Sequence, residues 1–317
     1  MTGVEGEMTA AIQETAGVQE TTAAQETAGV QETAGVQESA AVQETAGVQE
    51  TAAVQEDREQ SGDPGEAAYS RVREARNPRR PGVMDYVEAL FDDFIELHGD
   101  RLFRDDPAIL GGIARFHGIP VTVIGHRKGR TTEERVRNTF GMASPEGYRK
   151  ARRLMEQAEK YRRPVITLVD TPGAYPGLEA ESNGQSGAIA ESIACMMRLT
   201  VPTIAIITGE GGSGGALALA AADSVWMLEN AVYSILSPEG FAAILWKDSK
   251  RAPEASALMR LTAGELVELG LVDGVLPEGP KLFPEMDRML TVTLSALLRE
   301  KPEALREKRY KRYRTIL

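Results

Sequence analysis

Thr203-Ile204-Ala205-Ile206-Ile207-Thr208-Gly209-Glu210-Gly211-Gly212-Ser213-Gly214-Gly215-Ala216-Leu217-Ala218-Leu219-Ala220 places five glycines within the seven residues 209–215, between two unlike flanks. The leading flank, residues 203–207, is β-branched and apolar, the pattern of a buried strand. The trailing flank is Ala and Leu, which favour helix. A strand, a glycine-rich turn and a helix start together present free backbone N–H groups to an anion or a developing oxyanion. Glycine also lets another molecule approach the main chain closely. A tight βα turn packed by glycines is the plainer reading, but such a turn needs fewer than five of them.

Three chemistries compete for this stretch. Gly209, Gly211 and Gly214 fit the dinucleotide fingerprint G-x-G-x-x-G, with Glu229 at about the spacing of a ribose-binding acid. That fingerprint usually sits on the first strand of its domain, whereas at least three strands precede this one. Gly211-Gly212-Ser213-Gly214-Gly215 fits the G-x-S-x-G elbow of serine hydrolases, which takes its histidine from later in the chain. His98, His117 and His126 all come earlier, which argues against Ser213 as a nucleophile. The third chemistry is a backbone oxyanion hole with no side-chain nucleophile.

The totals narrow the class. Of 317 residues, 36 are Lys or Arg and 47 are Asp or Glu, for a net charge of −11. Residues 1–62 hold twelve acids and one base, Arg58, so they carry that whole charge and residues 63–317 are balanced. A balanced domain gives no basic field for nucleic acid. Cys195 is alone, which excludes an internal disulfide framework and a Cys-rich zinc site, and its apolar helical neighbours make it a core residue. No metal site is expected. No apolar run reaches the ~20 residues that span a bilayer, and no secretory signal opens the chain. The expectation is a soluble, cytoplasmic protein with no membrane contact.

Residues 12–56 repeat a hexad, Ile12-Gln13-Glu14-Thr15-Ala16-Gly17 and copies beginning at Val18, Ala24, Val30, Val36, Val42, Val48 and Val54. Six residues turn a helix by about 600°, so the valines scatter over three faces and form no apolar stripe. Low hydrophobicity and uniform negative charge predict disorder or a weak solvated helix. Residues 1–65 are therefore a tail and linker, and residues 66–317 one domain.

Within that domain, Val83, Tyr86, Val87, Leu90, Phe91, Phe94 and Ile95 recur at helical spacing and predict one helix ending near His98-Gly99, with His98 as its C-terminal cap. Strands follow at about 108–116 and 119–124, joined at His117-Gly118. The basic loop Gly125-His126-Arg127-Lys128-Gly129-Arg130 reads equally well as a solvated turn or an anion contact. Ser144-Pro145-Glu146 opens a helix with Tyr148, Ala151, Leu154, Met155, Ala158 and Tyr161 on its inner face. A buried strand at 164–170 runs into Asp170-Thr171-Pro172-Gly173-Ala174-Tyr175-Pro176-Gly177. Asp-x-x-Gly after a strand is also a GTPase feature, but the chain lacks the P-loop that would accompany it. Two Pro and two Gly shape a rigid loop at a strand's C-terminal end, where α/β proteins bind ligands. The order, ββα followed by repeated βα, argues one α/β domain.

With residues 170–177, 209–219 and 237–246 in view, the chain resembles the carboxyltransferase α subunits of bacterial acetyl-coenzyme A carboxylase. The likeness runs from about Tyr69 to Gly279 and includes Phe94-Ile95-Glu96-Leu97-His98-Gly99-Asp100-Arg101, residues 123–130, Phe140-Gly141-Met142, Pro145-Glu146-Gly147-Tyr148-Arg149-Lys150 and Ser237-Pro238-Glu239-Gly240. It departs where Tyr69 replaces an expected Trp, Asn77 a usual His and Gly187 a common Glu, and the hexad tail is no family feature. The resemblance implies a crotonase-like (ClpP/crotonase) superhelix of ββα units. It also implies transfer of a carboxyl group from carboxybiotin, held on a biotin carboxyl carrier protein, to acetyl-CoA, giving malonyl-CoA for fatty acid synthesis, with the cofactor supplying the base. It further implies biotin carboxylase and a carboxyltransferase β subunit as partners, as an α2β2 complex, with zinc and most of the coenzyme A site on β. By the same resemblance Gly214, Gly215 and Ala216 are the catalytic oxyanion donors, and Gly173, Ala174, Tyr175, Gly211 and Gly212 line the biotin pocket. The alternatives are a stand-alone crotonase-fold acyl-CoA enzyme, which would need paired carboxylates at the acyl site, and a serine hydrolase using Ser213.

Overall fold

The computed structural model describes residues 64–315, so the hexad repeat and its expected disorder lie outside the described residues. β1 (Asp92–Glu96), β2 (Ile109–Phe116) and β3 (Ile119–His126) are antiparallel neighbours. From β3 the sheet turns parallel through β4 (Val165–Thr171), β5 (Thr203–Gly212), β6 (Ser224–Leu228) and β8 (Gly274–Leu276). β7 (Val232–Ser234) pairs with the last three residues of β5. Parallel pairing requires crossovers, and helices supply them. The helices that matter for the site are α1 (Pro64–Ala75), α2 (Val83–Leu90), α3 (Pro145–Lys160), α4 (Gln185–Arg198), α5 (Ser213–Ala220), α6 (Pro238–Trp246) and α7 (Pro302–Arg314).

The local reasons are visible in the residues. His117 and Gly118 both take left-handed φ, +46° and +80°, which suits the two-residue turn joining β2 to β3. Every residue of β5 is buried, as a central parallel strand covered on both faces requires. On α3, Tyr148, Ala151, Leu154, Met155 and Ala158 have no exposed surface. Tyr161 does not join them: it lies past the helix end and is 58% exposed.

Three further expectations are corrected. The helix predicted through Phe94 and Ile95 stops at Leu90, because Phe91 turns extended and Asp93 takes φ +53°. Residues 92–96 instead pair with β2 across a register shift. His98 therefore caps no helix and sits against Asp105, Nδ1 to Oδ2 3.0 Å. The glycine stretch contains no separate loop, since β5 continues through Gly212 and α5 begins at Ser213.

Candidate active site

The turn from β5 into α5 is made at one residue. Gly212 is still extended, and Ser213 takes φ +54°, outside the range most side chains adopt. The first four N–H groups of a helix have no partner within it. In α5 these belong to Ser213, Gly214, Gly215 and Ala216, and the helix dipole adds partial positive charge there.

The β4 end supplies the facing wall. Gly173 has φ +148° and open space where a Cβ would stand. Its N–H donates to Thr171 Oγ1 at 3.1 Å, and the same hydroxyl donates to the Gly173 carbonyl at 2.7 Å, which fixes the loop. Tyr175 donates its N–H to the Ala143 carbonyl at 3.0 Å. Its own carbonyl accepts from Gln185 Nε2 at 2.9 Å.

The two walls meet. A Cβ on Gly212 would fall on the Pro172 carbonyl, with the Gly173 nitrogen 2.8 Å away. A Cβ on Gly215 would lie 2.8 Å from the Ala174 nitrogen and 2.9 Å from the Gly173 carbonyl carbon. Gly211 is packed against the Tyr233 ring, where a Cβ would stand 2.8 Å from Cδ2. Thus Gly173 and Ala174 meet Gly212 and Gly215 at the C-terminal ends of adjacent parallel strands, whereas Tyr175 bonds to Ala143 and Gln185 and Gly211 packs on Tyr233. Glycine is required at 212 and 215 by contact with backbone atoms, which cannot rotate aside.

Ser213 has an elbow's backbone without its chemistry. Its side chain is exposed and has no hydrogen bond among the described residues. His98 is engaged by Asp105, and His117 by Asp287 with Nε2 2.8 Å from Oδ1. His126 is buried with both ring nitrogens unpartnered, and burial first, then Lys128, pushes its pKa down to about 3. None stands at Ser213. Ser213→Ala is therefore expected to keep most of the activity. A loss of about a thousandfold or more with the fold intact, in a steady-state assay, would restore the nucleophile. Glu229 accepts the Glu278 N–H at 3.1 Å. Cys195 is buried in the core, and burial lifts its thiol to about 11.

A family model described as acetyl co-enzyme A carboxylase carboxyltransferase-like matches residues 19–317. The chain belongs to this family. It is 52% identical over 257 residues to the acetyl-coenzyme A carboxylase carboxyl transferase subunit alpha of Listeria monocytogenes serotype 4b, covering 78% of this chain and 81% of that one. To the protein of the same description from Carboxydothermus hydrogenoformans it is 54% identical over 256 residues, covering 78% and 79%. Among solved structures it superposes on transcarboxylase 12S with a TM-score of 0.60 at 19% identity, over 72% of this chain and 45% of that one. The β subunit of Pseudomonas aeruginosa geranyl-CoA carboxylase gives 0.57 at 18%, over 76% and 46%. The chain thus spans less than half of either solved protein. These structures share the crotonase-like fold with it.

In the basic loop after β3 each of the three cations has a carboxylate partner. Arg127 pairs with Glu96 at 2.9 Å, Arg130 with Asp85, and Lys128 with both Asp170 and Glu210. Glu210 also meets Arg76 at 2.7 Å, and Arg76 meets Glu239 at 2.6 Å. Sequence reading missed this network because its members lie up to 163 residues apart and each is ordinary alone. The one local hint was Glu210, a charge inside an otherwise apolar and glycine run.

Proposed function

We propose that this chain is the α half of a two-chain, biotin-dependent carboxyltransferase that carboxylates acetyl-coenzyme A to malonyl-coenzyme A, with the glycine walls as its reaction centre. The observation that carries the assignment of the centre is the contact of the Gly173-Ala174 loop with the start of α5 at Gly212 and Gly215. In the reading we adopt, the N–H groups of Gly214, Gly215 and Ala216 hold the oxygen that gains negative charge. Gly173, Ala174, Tyr175, Gly211 and Gly212 shape the pocket around the biotin ring. The residues fit such a group: Gly173 leaves open space on its Cβ side, and the helix start offers donors without carboxylates among them. Biotin, when bound, supplies the carboxyl group and the base. The chain's own task is then to orient it and to stabilise charge with fixed donors, each worth roughly 3 kcal/mol.

The partners follow from the same reading. A β subunit holds most of the coenzyme A site and the zinc, in an α2β2 complex. A biotin carboxyl carrier protein, loaded by biotin carboxylase, brings the biotin. Leu178 and Ile235, 84% and 81% exposed, stand just past the ends of β4 and β7, beside the glycine walls. Large exposed apolar side chains rimming a polar site favour a protein partner over solvent. Residues 66–317 act as the catalytic unit, with residues 1–65 as an appended tail. No helix of the described residues is long and apolar enough to cross a membrane; the cytoplasm is the compartment this reading assigns. Light scattering on the size-exclusion peak of this chain mixed with its β subunit is expected to give an equimolar complex. Separate elution of the two chains would contradict the assignment.

A further inference from the structure

The pairing of β4 with β5 breaks just ahead of the glycines. Val169 lies opposite Ile207, but Thr171 lies opposite Gly211, so two steps along β4 match four along β5. The surplus arches out at Thr208-Gly209-Glu210, opposite Asp170. Extra residues in one strand bend it and re-aim the residues beyond them, and such bulges gather beside active sites. Here the re-aimed residues are Gly211–Ala216.

The arch is held by side-chain contacts. Asp170 Oδ1 accepts the Glu210 N–H at 2.9 Å, and the Asp170 carboxyl occupies the place of a Gly209 Cβ, its Cγ only 2.6 Å from that position. Lys128 Nζ then meets Asp170 Oδ1 at 2.7 Å and Glu210 Oε2 at 2.9 Å. Its aliphatic stem passes Gly141, where φ is +80° and a Cβ would stand 2.7 Å from Lys128 Cγ. Burial pulls the Lys128 pKa down, but Asp170 and Glu210 outweigh it and hold the ammonium above its ordinary value. Burial raises Glu210, and Lys128 and Arg76 more than reverse that. Both groups are therefore charged at neutral pH. In addition, Arg80 Nη2 donates to the Thr208 carbonyl at 2.8 Å, and Arg76 Nε meets Glu210 Oε1 at 2.7 Å.

We infer that Lys128 is a positioning residue for carboxyl transfer: one ammonium joins the ends of β4 and β5, and so sets how the Gly173-Ala174 wall seats against the donors of Gly214–Ala216. This rests on the reading that those walls form the reaction centre. Asp170 stands two residues before Pro172 and Glu210 two before Gly212, so each carboxylate sits at the root of one wall. Without the cation, two carboxylates that share it face each other at like charge, and the roots spread. A displacement of about 1 Å in such a site can cost on the order of a hundredfold in rate.

The test uses the full chain assembled with its β subunit and carries wild type, Lys128→Met, Lys128→Arg and Glu210→Gln in parallel. Transfer kinetics, melting temperature and the size-exclusion profile are read for each. Lys128→Met is expected to lose roughly a hundredfold in kcat while its KM for acetyl-coenzyme A stays within about twofold, the pattern of a lost transition-state interaction. Lys128→Arg, able to reach both carboxylates, restores most of kcat. Glu210→Gln, which keeps the backbone tie to Asp170 but weakens the tie to Lys128, loses about tenfold. An assembled Lys128→Met complex with wild-type kcat overturns the inference. So does a rate loss that merely follows lost assembly or that Lys128→Arg fails to restore, and, should Lys128→Met not fold, a Glu210→Gln complex at full kcat. A wild-type complex with no transfer activity would instead overturn the functional assignment itself.

Discussion

Gly215→Val is expected to lower the maximal rate of carboxyl transfer a hundredfold or more while leaving assembly with the β subunit intact. The reason is steric. A Cβ at this position would stand 2.7 Å from the Tyr148 hydroxyl, 2.8 Å from the Ala174 nitrogen and 2.9 Å from the Gly173 carbonyl carbon. Two of those three neighbours are backbone, so relief comes only by moving the Gly173-Ala174 wall or the start of α5. Either motion takes donors away from the oxygen they serve, and losing one such donor costs about 3 kcal/mol. At 1.36 kcal/mol per tenfold, that is on the order of a hundredfold. Backbone strain is not the cause, since the left-handed residue at this junction is Ser213 and not Gly215. Steady-state transfer and size-exclusion chromatography decide the matter: an assembled variant at near wild-type rate would make the stretch only a structural turn.

The second large effect is on stability. Arg309→Met is expected to cost about 3–5 kcal/mol, as breaking a buried ion pair does. The Arg309 side chain on α7 has no exposed surface and meets Asp223, Nε to Oδ1 2.9 Å and Nη2 to Oδ2 2.6 Å. Its remaining donors reach the carbonyls of Met196, Leu199 and Val201 at 2.6, 2.8 and 3.3 Å. These carbonyls end or follow α4, so one guanidinium ties the C-terminal helix to the segment leading into β5. Asp223 also accepts from Thr203 N and Oγ1 at 2.8 and 2.9 Å, which anchors the first residue of β5. Methionine fills the volume but leaves the Asp223 carboxylate, 5% exposed, without its cation. The melting temperature should fall on the order of 10 °C for a domain of this size. A change of only a degree or two would show that α7 is not anchored through this pair.

The strands and turns that carry the proposed centre were legible in the chain because their determinants are local. The run 203–207, the glycines after it and the Pro-Gly loop at 172–177 each state their own geometry. Parallel order then brings the two strand ends together. The misread element is β1. Leu90, Phe91, Phe94 and Ile95 do keep helical spacing, but Asp93 at φ +53° and the pairing of Ile95 with Ile113 override it. An edge strand gains its hydrogen bonds from a partner that spacing does not reveal. The ionic network failed to show for a related reason. Lys128 and Glu210 are 82 residues apart, and only the fold makes one the counterion of the other. His98 shows the same limit on a small scale, since its partner Asp105 closes a loop where a helix end was expected.

The most direct measurement of the central claim is malonyl-coenzyme A formation from acetyl-coenzyme A and a carboxylated biotin carrier, with this chain alone, the β subunit alone, and the two mixed. Turnover is expected in the mixture and from neither chain by itself. Turnover by the pure α chain at the rate of the mixture, or a mixture that assembles and makes no malonyl-coenzyme A, would contradict it.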